Sequence, residues 1–232
     1  MVESLANDIV STQSSLATLS NILPDLEPSL QIVGLLFILS FIPIMVLTMT
    51  PFLRIILVIS LMKQALGTQN SPPAMVIVGL GLFLTGYILG PEITQINQQA
   101  LVPLANNEIK LPQALERAYV PLRNHMLRNV DSKDIKFFYN LARKPLPKSV
   151  ENIEMRELVI GYLIGELRKA FQIGFLIFIP FLVIDLIVAN ILLALGMIML
   201  SPTIVSLPFK IMIFIAIDGW ELIVKGLANS FN

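Results

Sequence analysis

The chain has no cysteine, which excludes disulfide staples and thiolate metal sites and leaves the compartment open. Histidine is nearly absent. His125, in Arg123-Asn-His-Met-Leu-Arg128, is the only one, and no nucleophile, carboxylate or metal-ligand spacing accompanies it. It reads as a structural or surface histidine, and the chain does not read as an enzyme. Charge is scarce as well: 14% of the 232 residues are charged, against about 25% in an ordinary soluble domain. No Lys or Arg precedes Arg54, although Glu3, Asp8, Asp25 and Glu27 do. A secretory signal opens on a basic stretch, so none is visible at this start: either the protein lacks one or the sequence begins after it. The phosphate-cradling patterns G-x-x-x-x-G-K-[ST] and G-x-G-x-x-G are missing, and no cofactor is expected.

Apolar surface is what the chain has in quantity. Hydrophobic residues make up 55% of it, and the mean hydropathy is +0.78. That balance points to a membrane protein or a very apolar assembly subunit. The zero net charge hides an uneven distribution. Of the 16 Lys and Arg, 12 fall between Glu92 and Lys169, along with 9 of the 16 acids. Alternating signs there read as a solvated face and argue against nucleic acid.

Four parts follow. Residues 1–29 are a polar N-terminal segment, and residues 30–90 a first hydrophobic hairpin. Residues 91–170 are a polar helical insert. Residues 171–232 are a second hydrophobic hairpin with a tip loop at 196–202. The run from Leu30 to about Leu66 exceeds the roughly 20 residues of one simple span, and Pro43 and Pro51 should kink or break it. Ser71-Pro72-Pro73 suits a helix start, with Ser71 as N-cap. Gly79, Gly86 and Gly90 offer small surfaces for close helix packing or are simply tolerated there. In the insert, helices are expected over Gln113–Val130 and Ser132–Ala142, the second capped by Asp131. A longer helix starts near Ile153, with Leu158, Tyr162, Gly165 and Lys169 near one face, and runs straight into the apolar stretch Ile173–Leu195. A fourth apolar run spans Ile204 to about Leu227. The insert exceeds the roughly 60 residues over which the positive-inside rule holds, so charge leaves its side of the membrane open.

Arg54, Asp185, Lys210, Asp218 and Glu221 lie in or beside apolar runs. A charge facing lipid costs at least about 2.5–3.5 kcal/mol at mid-membrane, so these groups must face protein or water. A proton or ion path, a substrate path, pairing between subunits and pairing within one chain all fit. The turn Gly196-Met197-Ile198-Met199-Leu200-Ser201-Pro202 places two methionines around an isoleucine at a hairpin tip. Methionine adapts to irregular shapes. Such tips could close a pore or could be an ordinary packed apolar loop.

Four strings carry a family resemblance. They are Thr50-Pro-Phe-Leu-Arg54-Ile-Ile with Gln64-Ala-Leu-Gly67-Thr68 through Ser71-Pro72-Pro73; Gly165-Glu166-Leu-Arg-Lys-Ala170-Phe171-Gln-Ile-Gly174-Phe; Ile179-Pro180-Phe-Leu-Val-Ile-Asp185 leading to Leu195-Gly196-Met197; and Leu207-Pro208-Phe209-Lys210 through Asp218-Gly219-Trp220. In this order they resemble the FliP family of type III secretion export-gate subunits, over most of Leu47 to Trp220. Gly165 departs from the small hydroxyl residue usual in its signature, and Ile198 stands where the family's loop commonly has a further methionine.

The resemblance implies an all-α protein of membrane-type kinked hairpins assembling into a helical, conical oligomer. It implies about five copies, with FliQ-like, FliR-like and FlhB-like subunits. Unfolded flagellar proteins would pass through the pore, and Met197, Ile198 and Met199 would form its gasket. The setting is the bacterial inner membrane at the flagellar basal body, with the insert periplasmic. Within the matching motifs we expect Glu166 to pair with Lys210, in one chain or between copies, and Asp185 to meet Arg54 or another donor. The competing reading is a stand-alone ion channel or proton-coupled transporter using Asp185 and Lys210.

Overall fold

A computed structural model describes residues 40–41, 43–68 and 71–231. The expected 1–29 segment and the start of the first hydrophobic run lie outside the described residues. Among the described residues the regular elements are helices, and there is no strand. In chain order they are α1 (Pro43–Met49), α2 (Phe52–Leu66), α3 (Ala74–Ile88), α4 (Gly90–Ala105), α5 (Leu111–Asn129), α6 (Ser132–Leu141), α7 (Met155–Ala194), α8 (Pro202–Ala216) and α9 (Gly219–Asn229). A π-turn at Asn97–Leu101 interrupts α4.

The chain divides into two compact units. One takes in the described residues up to Val46 together with Pro91–Asn124, and the other comprises Leu47–Gly90 and His125–Asn232. As the sequence pattern leads one to expect, α7 runs unbroken from the charged stretch into the apolar one, for 40 residues. In the first unit, the Lys110 N–H donates to Gln113 Oε1 at 3.3 Å, the return half of a capping box at the start of α5. Arg117 Nη1 donates to Gln99 O at 3.4 Å, fastening α5 to α4.

The second unit is built around α2. Ile55, Val58, Ile59 and Met62 recur at helical spacing and are all but fully buried, the stripe that a core-facing helix requires. Ile77 of α3, Ala170 and Phe181 of α7, Phe214 of α8, and Ile223 and Leu227 of α9 complete this core. Gly174 lets α2 and α7 close up: a Cβ there would lie 2.3 Å from Leu61 Cδ1 and 3.1 Å from its Cβ. Gly174→Val is therefore expected to cost about 1–3 kcal/mol by overpacking. Thermal unfolding in neutral detergent measures it, and an unchanged melting temperature would show that the helices can part freely.

Proline acts unevenly. Pro51 sits at the α1–α2 break, whereas α7 continues past Pro180 and α8 past Pro208. Ser71 does not cap α3. The Ser71–Pro72 bond is cis, and the first turn instead hangs from Pro73 O, which accepts from the N–H groups of Val76 and Ile77. The fourth apolar run is not one helix either. It breaks at Ile217–Asp218, where Asp218 adopts φ 51°. The Asp-Gly pair is a turn signal that hydropathy alone does not show. Asp131 does stand at the N-terminus of α6, but its side chain makes no capping bond. It accepts from Arg168 Nη1 at 3.2 Å instead.

By length and composition α7 can cross a membrane, and only 17% of its most apolar window is buried within the chain. Two further apolar helix pairs, α1 with α2 and α3 with α4, are each interrupted by a short break.

Candidate functional site

Two internal charge pairs and one bare apolar loop stand out in the second unit. Arg54, on the first turn of α2, meets Glu166 of α7 in a fork. Nε donates to Oε2 at 2.8 Å, and Nη2 donates to Oε1. Both side chains are essentially inaccessible, at 0% and 1%. Arg54 Nη1 turns the other way and donates to Ser230 O at 2.8 Å and Ser230 Oγ at 2.9 Å. The Phe231 ring lies over the guanidinium, 3.6 Å from its carbon. A bidentate arrangement of this kind is among the stronger hydrogen-bonded contacts proteins make. It fastens α2, α7 and the end of α9 at one point.

The second pair lies within the α7–α8 hairpin. Lys210 Nζ donates to Asp185 Oδ2 at 2.6 Å and to Ala65 O at 3.1 Å. The Ser206 hydroxyl donates to the other Asp185 oxygen. Lys210 is buried, while Asp185 keeps about a third of its side chain accessible, at 31%.

Within the chain the partners are exchanged relative to the expected Glu166–Lys210 pair, and Asp185 meets donors other than Arg54. Helix direction explains the exchange. Arg54 lies beside Glu166 and Leu61 beside Gly174, so α2 and α7 run parallel. Asp185 is then 19 residues up α7, roughly 28 Å from Glu166 at 1.5 Å per residue. Arg54 cannot span that. Asp185 and Lys210, by contrast, sit at similar distances from the hairpin turn, and that equal spacing was the available signal. Lys210→Ala is expected to cost about 1–3 kcal/mol by leaving Asp185 short of a donor. Lys210→Arg should recover part of the loss in the same thermal melt. Equal melting temperatures for all three proteins would remove the pair from the stability argument.

His125 is buried, not at the surface. It makes an edge contact with Tyr162 and a stacked contact with Phe231, with centroids 6.2 and 6.3 Å apart. It belongs to the packing around the Arg54 fork. Among the described residues no three His, Asp or Glu side chains converge as a metal site. Asp218 and Glu221 stand at the start of α9, where Glu221 pairs with exposed Lys225 one turn on, at 2.5 Å.

The charged stretch of the insert is stitched rather than merely solvated. Arg168 bridges Asp131 and Asp134, joining α7 to α6. Lys169 Nζ donates to Asn129 O at 2.6 Å, satisfying a carbonyl at the end of α5. Lys144 reaches Glu154 at 2.6 Å and Glu157 at 3.0 Å. The Glu154 and Glu157 hydrogen bonds push the Lys144 ammonium above its ordinary 10.5. A cation whose folded pKa is raised contributes fully below its unfolded value and loses that contribution as pH rises through the folded one. This clasp is therefore complete at neutral pH.

The tip loop follows from helix-ending chemistry. Gly196 takes φ 71°. Its N–H donates to Leu193 O at 3.0 Å, and the Met197 N–H donates to Leu192 O at 2.9 Å. Together these are the two bonds of a Schellman ending, in which glycine accepts the left-handed position at little cost. Ser201 and Pro202 then open α8. Met197, Ile198 and Met199 are held outside the core, at 46%, 79% and 102% exposure. Away from the tip, a cleft of about 300 Å³ between α7 and α9 is almost wholly apolar, with Ile173, Pro180, Ile217 and Leu222 among its lining.

Comparison with known proteins agrees with the four sequence strings. The FliP family matches residues 35–227. The flagellar biosynthetic protein FliP of Bacillus subtilis is 43% identical over 207 residues, covering 89% of this chain and 94% of that protein. The protein of the same name from Pectobacterium carotovorum is 45% identical over 203 residues, covering 88% and 79%. That of Aquifex aeolicus is 39% identical over 210 residues, covering 90% and 88%. With matches of this length and evenness, the chain belongs to the FliP family.

Proposed function

We propose that this protein is a non-catalytic membrane subunit of the flagellar protein-export apparatus. About five copies, joined head to tail, combine with FliQ-like, FliR-like and FlhB-like subunits in the inner membrane of a bacterium. The insert faces the periplasm. Unfolded flagellar proteins pass through the resulting pore, which Met197, Ile198 and Met199 of each copy hold shut.

The observation that carries this reading is the bare tip. Three large apolar side chains project from a rigidly ended helix with their surfaces uncovered. Isolated, such a loop is a liability. Gathered from several copies, it forms an apolar constriction, and constrictions of that kind exclude water and ions by dewetting. Methionine flexibility lets the seal deform around a passing chain. The exposed apolar length of α7 and the apolar cleft beside α9 supply surface for neighbouring subunits.

The stand-alone channel reading gains nothing from the geometry. Asp185 and Lys210 neutralise each other within one hairpin and leave no charged path between them. Purification from native membranes separates the two readings. A gate subunit is expected to co-purify with FliQ-like and FliR-like proteins as one particle, and intact-complex mass spectrometry gives its copy number. Recovery of the chain alone, together with normal flagellin secretion in a deletion strain, would end the export reading.

A further inference from the structure

A groove on the insert side of the second unit is unaccounted for by export gating. It has a volume of about 330 Å³ and lies among the end of α5, the start of α6 and the connection before α7. Leu127, Val130, Ile135, Leu146, Val150 and Ile153 give it an apolar floor and wall. Leu146 and Val150 are 49% and 59% exposed, so the chain itself does not cover this surface.

Its rim is basic. Lys136 and Lys148 both line the groove, and both are exposed. No acidic side chain is among the lining. Among the described residues, neither lysine has a carboxylate partner, whereas three neighbouring basic groups do. Lys133 lies 3.6 Å from Asp131, Lys144 is clasped by Glu154 and Glu157, and Arg168 by Asp131 and Asp134. Two unmatched ammonium groups thus flank an uncovered aliphatic trough whose lining carries no acid.

We infer that this groove docks an acidic, aliphatic peptide segment of a partner protein. Its carboxylates pair with Lys136 and Lys148, and its leucine-like side chains fill the trough. The volume suits a few aliphatic side chains, at the small end of the range for binding pockets. Charge complementarity selects the sign of the partner and excludes basic segments. A lipid headgroup fits less well. A phosphate would use the two ammonium groups and leave the aliphatic floor and wall of the trough unfilled.

The probe is a fluorescein-labelled peptide of alternating Glu and Leu, added to the purified full chain in neutral detergent and followed by anisotropy. Comparison peptides replace Leu by Ser or Glu by Lys. The Glu–Leu peptide is expected to bind at least about tenfold more tightly than either. The double variant Lys136→Glu/Lys148→Glu is expected to lose that preference and to bind the Lys–Leu peptide instead, while its melting temperature matches the parent. The neutral pair Lys136→Gln/Lys148→Gln should fall between them. Unchanged binding in the charge-reversed variant overturns the proposal, as does equal binding of the Glu–Ser peptide. So does a charge reversal whose only effect is weaker attachment to phosphatidylglycerol vesicles.

Discussion

Glu166→Ala is expected to cost about 3–5 kcal/mol of folding stability, the typical price of stranding a buried charge. For a chain of this size each kcal/mol is worth about 2–4 °C, so the melting temperature in neutral detergent should fall by roughly 6–20 °C. The reason lies in the surroundings of Arg54. Its side chain is 0% accessible, and removal of the carboxylate leaves Nε and Nη2 buried without their partner. The Ser230 contacts hold Nη1 in place, so the guanidinium cannot swing out to recover solvent.

A paired change separates electrostatics from shape. Replacing both members, as Arg54→Met with Glu166→Leu, removes the charge and the need for it together. Well-packed apolar replacements of buried ion pairs are often neutral or stabilising. The double variant should therefore melt well above Glu166→Ala. If the single change shifts melting by less than about 3 °C, roughly one kcal/mol at this size, the fork does not hold the helices together. A double variant as unstable as the single one would show that shape matters more than charge.

The second large effect concerns the seal. Changing Met197, Ile198 and Met199 together to alanine should leave the fold nearly untouched, because exposed substitutions of this kind stay within about ±0.5 kcal/mol. Ion leak through the assembled complex should nonetheless rise by at least about tenfold. A tenfold rate change needs only ~1.4 kcal/mol from the barrier, and a wider apolar constriction dewets less readily. Planar-bilayer conductance of the purified complex, with the melting curve as control, reads both quantities. Wild-type leak from an intact triple variant would remove the gasket role while leaving membership of the complex standing.

Much of this architecture was legible along the chain. The apolar runs mark α2, α3, α7 and α8, because a helix that faces lipid or partners needs little polar surface. Continuity from the amphipathic start near Ile153 into the apolar stretch was readable as one helix, and α7 is one helix. The elements of the fork were legible as residues but not as partners. A charge inside an apolar run announces that it needs a counter-ion. Which one it finds depends on whether two distant helices run parallel or antiparallel, and no local pattern encodes that. The break at Asp218 was hidden for another reason. Hydropathy carries on across it, and only the backbone preference of an Asp-Gly pair marks the turn. Ser71 misled because the local signal for an N-cap was real, yet the prolines after it moved the helix start two residues on.

The parallel alignment of α2 with α7 has a consequence for how the protein is made. Arg54 and Glu166 are 112 residues apart in the chain. At about 5–20 residues per second of synthesis, the arginine waits roughly 5–20 s before its carboxylate exists. During that interval a cation sits on an apolar segment with nothing to neutralise it. The fork therefore closes late, only once both of the helices it joins have been made.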